Sequence, residues 1–500
     1  MTTNDPRRTA NDAPQLSPDR FPSLRRSAAA AALCAGITLA LLGGAALAGP
    51  GAPLPPELPP YGADKPLPIA GIARRTLANG LTVWVVPRDG IPRVDYVLAL
   101  SHAGHAADAP AVPGFAALLA GLLSEGTSQR DSRAIAEAAQ GFGGSVGASA
   151  SGDGISLSGN ALVSHAPGML ALMADIARNA SFPDNEVALA KANEVQALKA
   201  AEAQPGFRAD RAMLAATYGD HPYARVQPTE AAILAVTPAM LRGEHVRRFR
   251  PERALLVVTG RMDAATAFKL AEAAFGDWKA SGDGVAEVKA ARQEAAPARV
   301  LIQRDGSVQS TLRLGRPAIP ATHPDYVPMQ LAGTVLGGSF SSRVMQNLRE
   351  DKGYTYGAGA GLVALREGGR VQAGADVRNE VTGAALKEFF HEFERLGTEP
   401  VPAQELEDTK RYVAGGYLIG NQMQAAVAAT LAHNWLVGLP PEFLGQYVPK
   451  IREVDAAQVQ AMAGKYYAPA DQSIIVVGDA AAVKDQLEPY GEFRLPSSDN

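Results

Sequence analysis

The chain has 500 residues, an apolar fraction of 47% and a formal net charge of −4. That length predicts two to four domains at roughly 100–200 residues each, and the apolar content excludes a chain disordered as a whole. Acidic and basic residues are interspersed, so there is no clustered basic face of the kind nucleic-acid binding requires.

The N-terminus stands apart from the rest. Met1 to Pro22 is polar, Arg25-Arg26 follows, and an apolar run from Ala28 to Ala48 ends in Ala46-Leu47-Ala48. A charged front, an apolar stretch and an A-x-A site describe an export signal. The run exceeds the usual signal core of about 7–15 residues, so residues 1–48 read as a signal peptide or, if uncleaved, an N-terminal anchor. The body of the chain is then exported, into the periplasm of a bacterium. The only cysteine, Cys34, lies in this run, which excludes disulfides and thiolate chemistry from the remainder. Residues 49–68 are rich in Pro, Gly and Ala and read as a spacer.

The body begins with Asn79-Gly80 between apolar alternations, a hairpin signal. A strand is predicted from Val94 to Leu100. Helical patterns follow at Ala111–Ser124, Ser132–Gln140, Pro167–Arg178 and Asn185–Ala203. Thr237-Pro238 starts another helix, with Thr as N-cap and Pro in the first turn. The apolar run Ala254 to Val258, ending at Gly260, is a buried strand. Residues 280–297 lack periodicity and read as a linker. Beyond it, helices are predicted at Tyr326–Leu336, Ser342–Glu350 and Ala384–Leu396, with one long helix from Ala403 to about Trp435. Asp455 and Gln458 form a capping box, and Ile474 to Val477 closes the second half as a strand.

These elements repeat. Thr237, Pro251 and Gly260 map onto Asp455, Pro469 and Gly478 at one constant offset, and Val85 to Gly90 resembles Leu301 to Gly306 at nearly the same offset. The body is therefore a duplication, with halves at residues 69–279 and 298–493. Strands first, helices between and a closing strand give an α+β sandwich, helices covering one face of a sheet.

The segment Gly114 to Thr127, with Asn79-Gly80 upstream, resembles the M16 peptidase family, which includes insulinase, pitrilysin and the mitochondrial processing peptidases. The resemblance implies two homologous M16-type α/β sandwich domains forming a half-clamshell. In active members this helix carries H-x-x-E-H, two His for zinc and a Glu that activates water. Here the corresponding positions are Ala117, Ala120 and Gly121, none with a donor atom. Glu194 falls at about the place of the family's third ligand, but one carboxylate does not make a three-ligand site. His102, His105 and Asp108 precede the helix in a Gly/Ala-rich turn and form no closed ligand set.

The second half carries Leu336-Gly337-Gly338-Ser339-Phe340-Ser341-Ser342-Arg343, then Leu348-Arg349 through Tyr356, and matches the family's C-terminal signature. The resemblance gives Arg349 and Tyr356 a substrate-binding role, as donors to a peptide carbonyl or oxyanion. It places Arg349 late in a helix and Tyr356 early in the next strand; Ser342, Arg343 and Tyr354 are weaker candidates. The implied function is a non-catalytic, substrate-binding subunit of a heterodimeric zinc peptidase acting on unfolded peptides. Its partner, an H-x-x-E-H subunit, would bring the zinc; this chain binds no cofactor and no nucleic acid. The alternative is a peptide-binding or scaffold protein of the same fold with no hydrolytic role.

Overall fold

The fold starts at the Asn79-Gly80 hairpin, where β1 (Ala73–Thr76) runs antiparallel to β2 (Thr82–Pro87). Gly80 sits at φ 92°, where a side chain is disfavoured. Asn79 accepts the Leu81 N–H at 3.1 Å and donates its amide to the carbonyls of Phe275 and Trp278 at 2.7 and 3.0 Å. The first turn is thereby tied to the last helix of its own half.

The computed structural model describes residues 62–64, 67 and 71–495, all within one compact unit, Leu54–Asn500. The predicted export segment, residues 1–48, lies outside the described residues, as does most of the spacer 49–68. Among the described residues, no helix is long and apolar enough to cross a membrane.

The first half continues with β3 (Arg93–Ser101), α1 (Phe115–Leu122), α2 (Ser132–Gly141), β4 (Ser145–Ala150), β5 (Gly154–Leu162), α3 (Ala166–Asn179), α4 (Asp184–Glu202) and α5 (Pro205–Tyr218). Then come α6 (Glu230–Ala235), α7 (Pro238–Arg248), β6 (Ala254–Gly260) and α8 (Ala264–Phe275). Thr237 caps α7 as the sequence predicts, its side chain accepting the Met240 N–H at 3.2 Å.

The second half holds β7 (Arg299–Gln303), β8 (Gln309–Ala318), α9 (Tyr326–Gly337) and α10 (Arg343–Met345), which runs on as a π-helix over Gln346–Asp351. It ends with β9 (Ala358–Ala364), β10 (Gly369–Arg378), α11 (Thr382–Thr398), α12 (Ala403–Gly420), α13 (Gln424–Leu436), α14 (Phe443–Glu453), α15 (Ala456–Tyr466), β11 (Ser473–Gly478) and α16 (Ala480–Leu487). The Asp455–Gln458 capping box closes in both directions, at 2.8 and 3.0 Å.

The sheets show the duplication directly. The first has the order β1-β2-β6-β3-β5-β4 and the second β7-β11-β8-β10-β9. Without β1 the two orders are the same. The closing strand of each half pairs parallel with the first strand of the shared plan, β6 with β2 and β11 with β7.

Two expectations need correction. Helices cover both faces of each sheet, not one. Each half packs its own helices on one face. The other face of the first sheet (Trp84, Val97, Leu255) is covered by Val427, Leu431 and Leu436 of α13, from the second half. The other face of the second sheet (Val300, Ile475, Val477) is covered by Ala209 and Met213 of α5, from the first. The physical sign is that β6 and β11 are buried along their whole length, as strands covered on both sides must be.

The long helix predicted from Ala403 to Trp435 is two helices, α12 and α13. The chain leaves the helix at Asn421, whose amide donates to the Tyr417 carbonyl at 2.9 Å. Past the break, the Gln424 side chain reaches the first sheet, donating to the Arg93 carbonyl at 3.0 Å and to Asp95 at 2.6 Å. Docking on the opposite half, not local propensity, sets the break. In the first half Gln204-Pro205 separates α4 from α5 at the matching place.

Candidate functional site

The first candidate centre is α1. A buried charged cluster fixes its N-terminus. The Asp108 carboxylate accepts the Ala116 N–H at 3.1 Å and pairs with Arg248 at 2.9 Å, both side chains being out of water. Arg248 also donates to the carbonyls of Ala103 and Ala107. The helix is held, but its chemistry is absent. Ala117 and Gly121, four apart on one face, are exposed, while Ala120 is buried. A Cβ built on Gly121 meets open space. Glu194 is half-buried on α4, which packs against α1. At the end of α1, burial and the neighbouring Glu186 carboxylate push the Glu125 carboxyl up. These residues do not fit zinc. Ala117, Ala120 and Gly121 offer methyl groups and a hydrogen but no donor atom, and among the described residues no group of three His, Cys, Asp or Glu could hold a metal ion.

The second candidate centre is the Arg349–Tyr356 corner. Arg349, in the π-helix after α10, donates from Nη1 to the Tyr356 carbonyl at 3.1 Å, and its Nε lies 3.2 Å from Glu350. Its guanidinium lies over the Phe340 ring, 4.8 Å from the ring centre. Tyr356 is 90% exposed and Phe340 58%. Tyr356 stands just before β9 and not within it as expected. Thr355 takes over the local hydrogen bonds there, donating to the Asp376 carbonyl at 2.7 Å and accepting the Gly357 N–H at 3.1 Å.

The weaker candidates have structural tasks. Arg343 is buried and clamps Glu405 of α12 with two bonds, at 2.8 and 3.0 Å. Ser342 closes a turn onto the Ser339 carbonyl, and Tyr354 packs on the second core. The Gly337-Gly338 pair is required by the chain's own packing. A Cβ on Gly337 would stand 2.0 Å from the Ala360 nitrogen, and one on Gly338 2.7 Å from the Thr334 Cα.

The comparisons with known proteins agree with this architecture. The profile of the insulinase family, peptidase family M16, matches residues 97–227, and that of the peptidase M16 inactive domain matches residues 235–413. Together they span well over half of the chain. The chain belongs to the M16 peptidase family.

Among solved M16-type structures, a peptidase M16 inactive domain from Pseudomonas fluorescens superposes with a TM-score of 0.77 at 26% identity, covering 82% of this chain and 99% of that one. A protease from Helicobacter pylori shares the fold at a TM-score of 0.75 and 19% identity, over 82% of this chain and all of that one. An uncharacterized zinc protease of Mycobacterium leprae is 26% identical over 397 residues, 79% of this chain and 89% of that protein. The inactive-domain match supports a non-catalytic member of the M16 family, and the side chains of Ala117, Ala120 and Gly121 on α1 offer no donor atom.

Several histidines of this M16 chain are engaged in local contacts. Nδ1 of His221 and of His323 each accepts the backbone N–H two residues on, at 3.2 and 3.1 Å. His105 lies 3.4 Å from Asp108, while His102 adopts a left-handed backbone at φ 57° and burial holds its pKa down. His245 is buried against Phe182 and Phe249, which holds its pKa down at about 4. Two features escaped sequence reasoning. The Asp108–Arg248 pair joins residues 140 apart with no shared motif. The stacking of Phe340 on Arg349 crosses a loop and a π-helix, where no simple periodicity applies.

Proposed function

We propose that this chain is the substrate-binding, non-catalytic subunit of an exported M16 peptidase heterodimer that cleaves unfolded peptides. One observation carries the reading: the half-exposed Arg349 guanidinium holds the carbonyl of Tyr356, whose phenol stands in solvent, while α1 is intact in backbone and bears no donor at Ala117, Ala120 or Gly121. A phenol 90% exposed contributes little to packing, so binding accounts for it better than stability does. Zinc and the water-activating Glu come from an H-x-x-E-H partner. This chain's part is to hold the peptide: the Tyr356 hydroxyl and the Arg349 guanidinium donate to a substrate carbonyl and to the oxyanion formed as water attacks it. The peptide is extended, since folded proteins do not offer their backbone carbonyls to such donors.

The test is reconstitution. The purified chain, mixed with an H-x-x-E-H M16 protein from the same genome, should form a stable complex that cleaves fluorescein-labelled casein, whereas the chain alone does not. Failure of every such candidate both to associate and to gain activity would remove the heterodimer reading.

A further inference from the structure

We propose that Phe340 is a positioning residue of the Arg349 site: its ring fixes the plane of the guanidinium and so aims the remaining donors at a bound peptide. The inference rests on the substrate-binding reading of Arg349 and adds a residue to it. A guanidinium is planar and carries five N–H donors in a rigid fork. In this corner Nη1 is bound to the Tyr356 carbonyl, Nε lies against Glu350, and one face lies over the Phe340 ring. Two edges and a face define the plane. Nη2 then has no protein partner among the described residues and is left for a ligand.

Phe340 is itself held in place. Its carbonyl accepts from the Gln346 amide at 3.1 Å, and Gly337-Gly338 lock the loop against β9 and α9 with no room for a Cβ on either glycine. Core packing does not explain the ring, which is 58% exposed. An aromatic presented to solvent on a fixed loop, with a cation over its face, is a device for orientation. An exposed cation–π contact corresponds to about a 2- to 5-fold change in an equilibrium.

The experiment uses the full chain and fluorescein-labelled β-casein as an unfolded probe, with binding read by fluorescence anisotropy. Arg349→Ala weakens binding. Phe340→Leu, which keeps an apolar side chain but removes the π-face, weakens it about 2- to 5-fold, and Phe340→Tyr restores it to within about 2-fold. In the Arg349→Ala background Phe340→Leu has no further effect. An equal loss in both backgrounds would make Phe340 an independent apolar contact and overturn the proposal, as would no loss at all. If the wild-type chain does not bind casein, or if Arg349→Ala binds as well as wild type, the substrate-binding reading is what fails. The stacking is then judged without ligand, from the Arg349 Nε–H proton resonance, assigned with Arg349→Lys. Ring current shifts it upfield in wild type and in Phe340→Tyr, and it moves downfield in Phe340→Leu; a resonance that does not move contradicts the proposal.

Discussion

Helix α1 of the first half and the arginine–tyrosine corner of the second present opposite kinds of surface. At α1 everything that holds the helix remains: the Asp108 cap, the Arg248 pair, and the burial of Phe115, Leu119 and Leu122. What its open face presents is alanine and glycine. At the corner the exposed groups are a cation and two aromatic rings, held by a turn, a π-helix and two packed glycines. The difference teaches that framework and chemistry separate residue by residue. A helix can be well packed while its open face carries no reactive group, and an exposed residue can stand where packing has no use for it.

The largest expected effect falls on the framework of α1. Arg248→Met leaves the buried Asp108 carboxylate without its guanidinium and should cost about 3–5 kcal/mol in urea unfolding, the usual result of breaking a buried pair. A loss below 1 kcal/mol would mean that the helix is not held by this cluster.

The second effect concerns α7, the helix that carries Arg248, through His245. Folding keeps this imidazole neutral, with a pKa of about 4 against an ordinary 6.5. Above pH 6.5 both folded and unfolded chains are neutral there and the stability is complete. As pH falls toward 4 the unfolded chain takes up a proton that the folded chain refuses, and about 3 kcal/mol is lost at about 1.4 kcal/mol per pKa unit. His245→Gln should flatten the melting temperature between pH 6.5 and 4.5 relative to wild type; parallel curves would contradict it.

At the corner, Arg349→Ala or Tyr356→Phe should lower turnover of the reconstituted complex about 100-fold, the effect of one lost oxyanion donor, with melting temperature unchanged. Undiminished turnover in both variants would dissolve the contrast between the two regions.

The smallest effect returns to α1. Gly121 has open space beyond its Cα, so Gly121→Ala should raise stability by about 0.5–1 kcal/mol through helix propensity and leave casein binding unchanged. A loss of binding there would show that the bare face contacts peptide after all.

Much of this was legible in the sequence, for local reasons. Asn79-Gly80, Thr237-Pro238 and the Asp455–Gln458 box are written in a few adjacent residues, and the structure forms all three. The absence at Ala117, Ala120 and Gly121 was equally plain, because a missing donor needs no geometry. What sequence did not reveal depends on partners far along the chain. The break at Asn421 is set by Gln424 docking on Arg93 and Asp95 across more than 300 residues. The strands β4, β5, β9 and β10 are rich in Gly, Ala and Ser and carry little β-propensity of their own. They are strands because their neighbours pair with them. At the corner, Arg349 and Tyr356 were marked by a motif, but Phe340 became visible only when the loop was seen folded over the guanidinium.

The most direct measurement is metal analysis of the isolated, full-length chain by inductively coupled plasma mass spectrometry, paired with a casein cleavage assay before and after 1,10-phenanthroline. The expected result is zinc far below one equivalent and no cleavage in either condition. One tightly held equivalent of zinc, with proteolysis abolished by the chelator, would contradict the account.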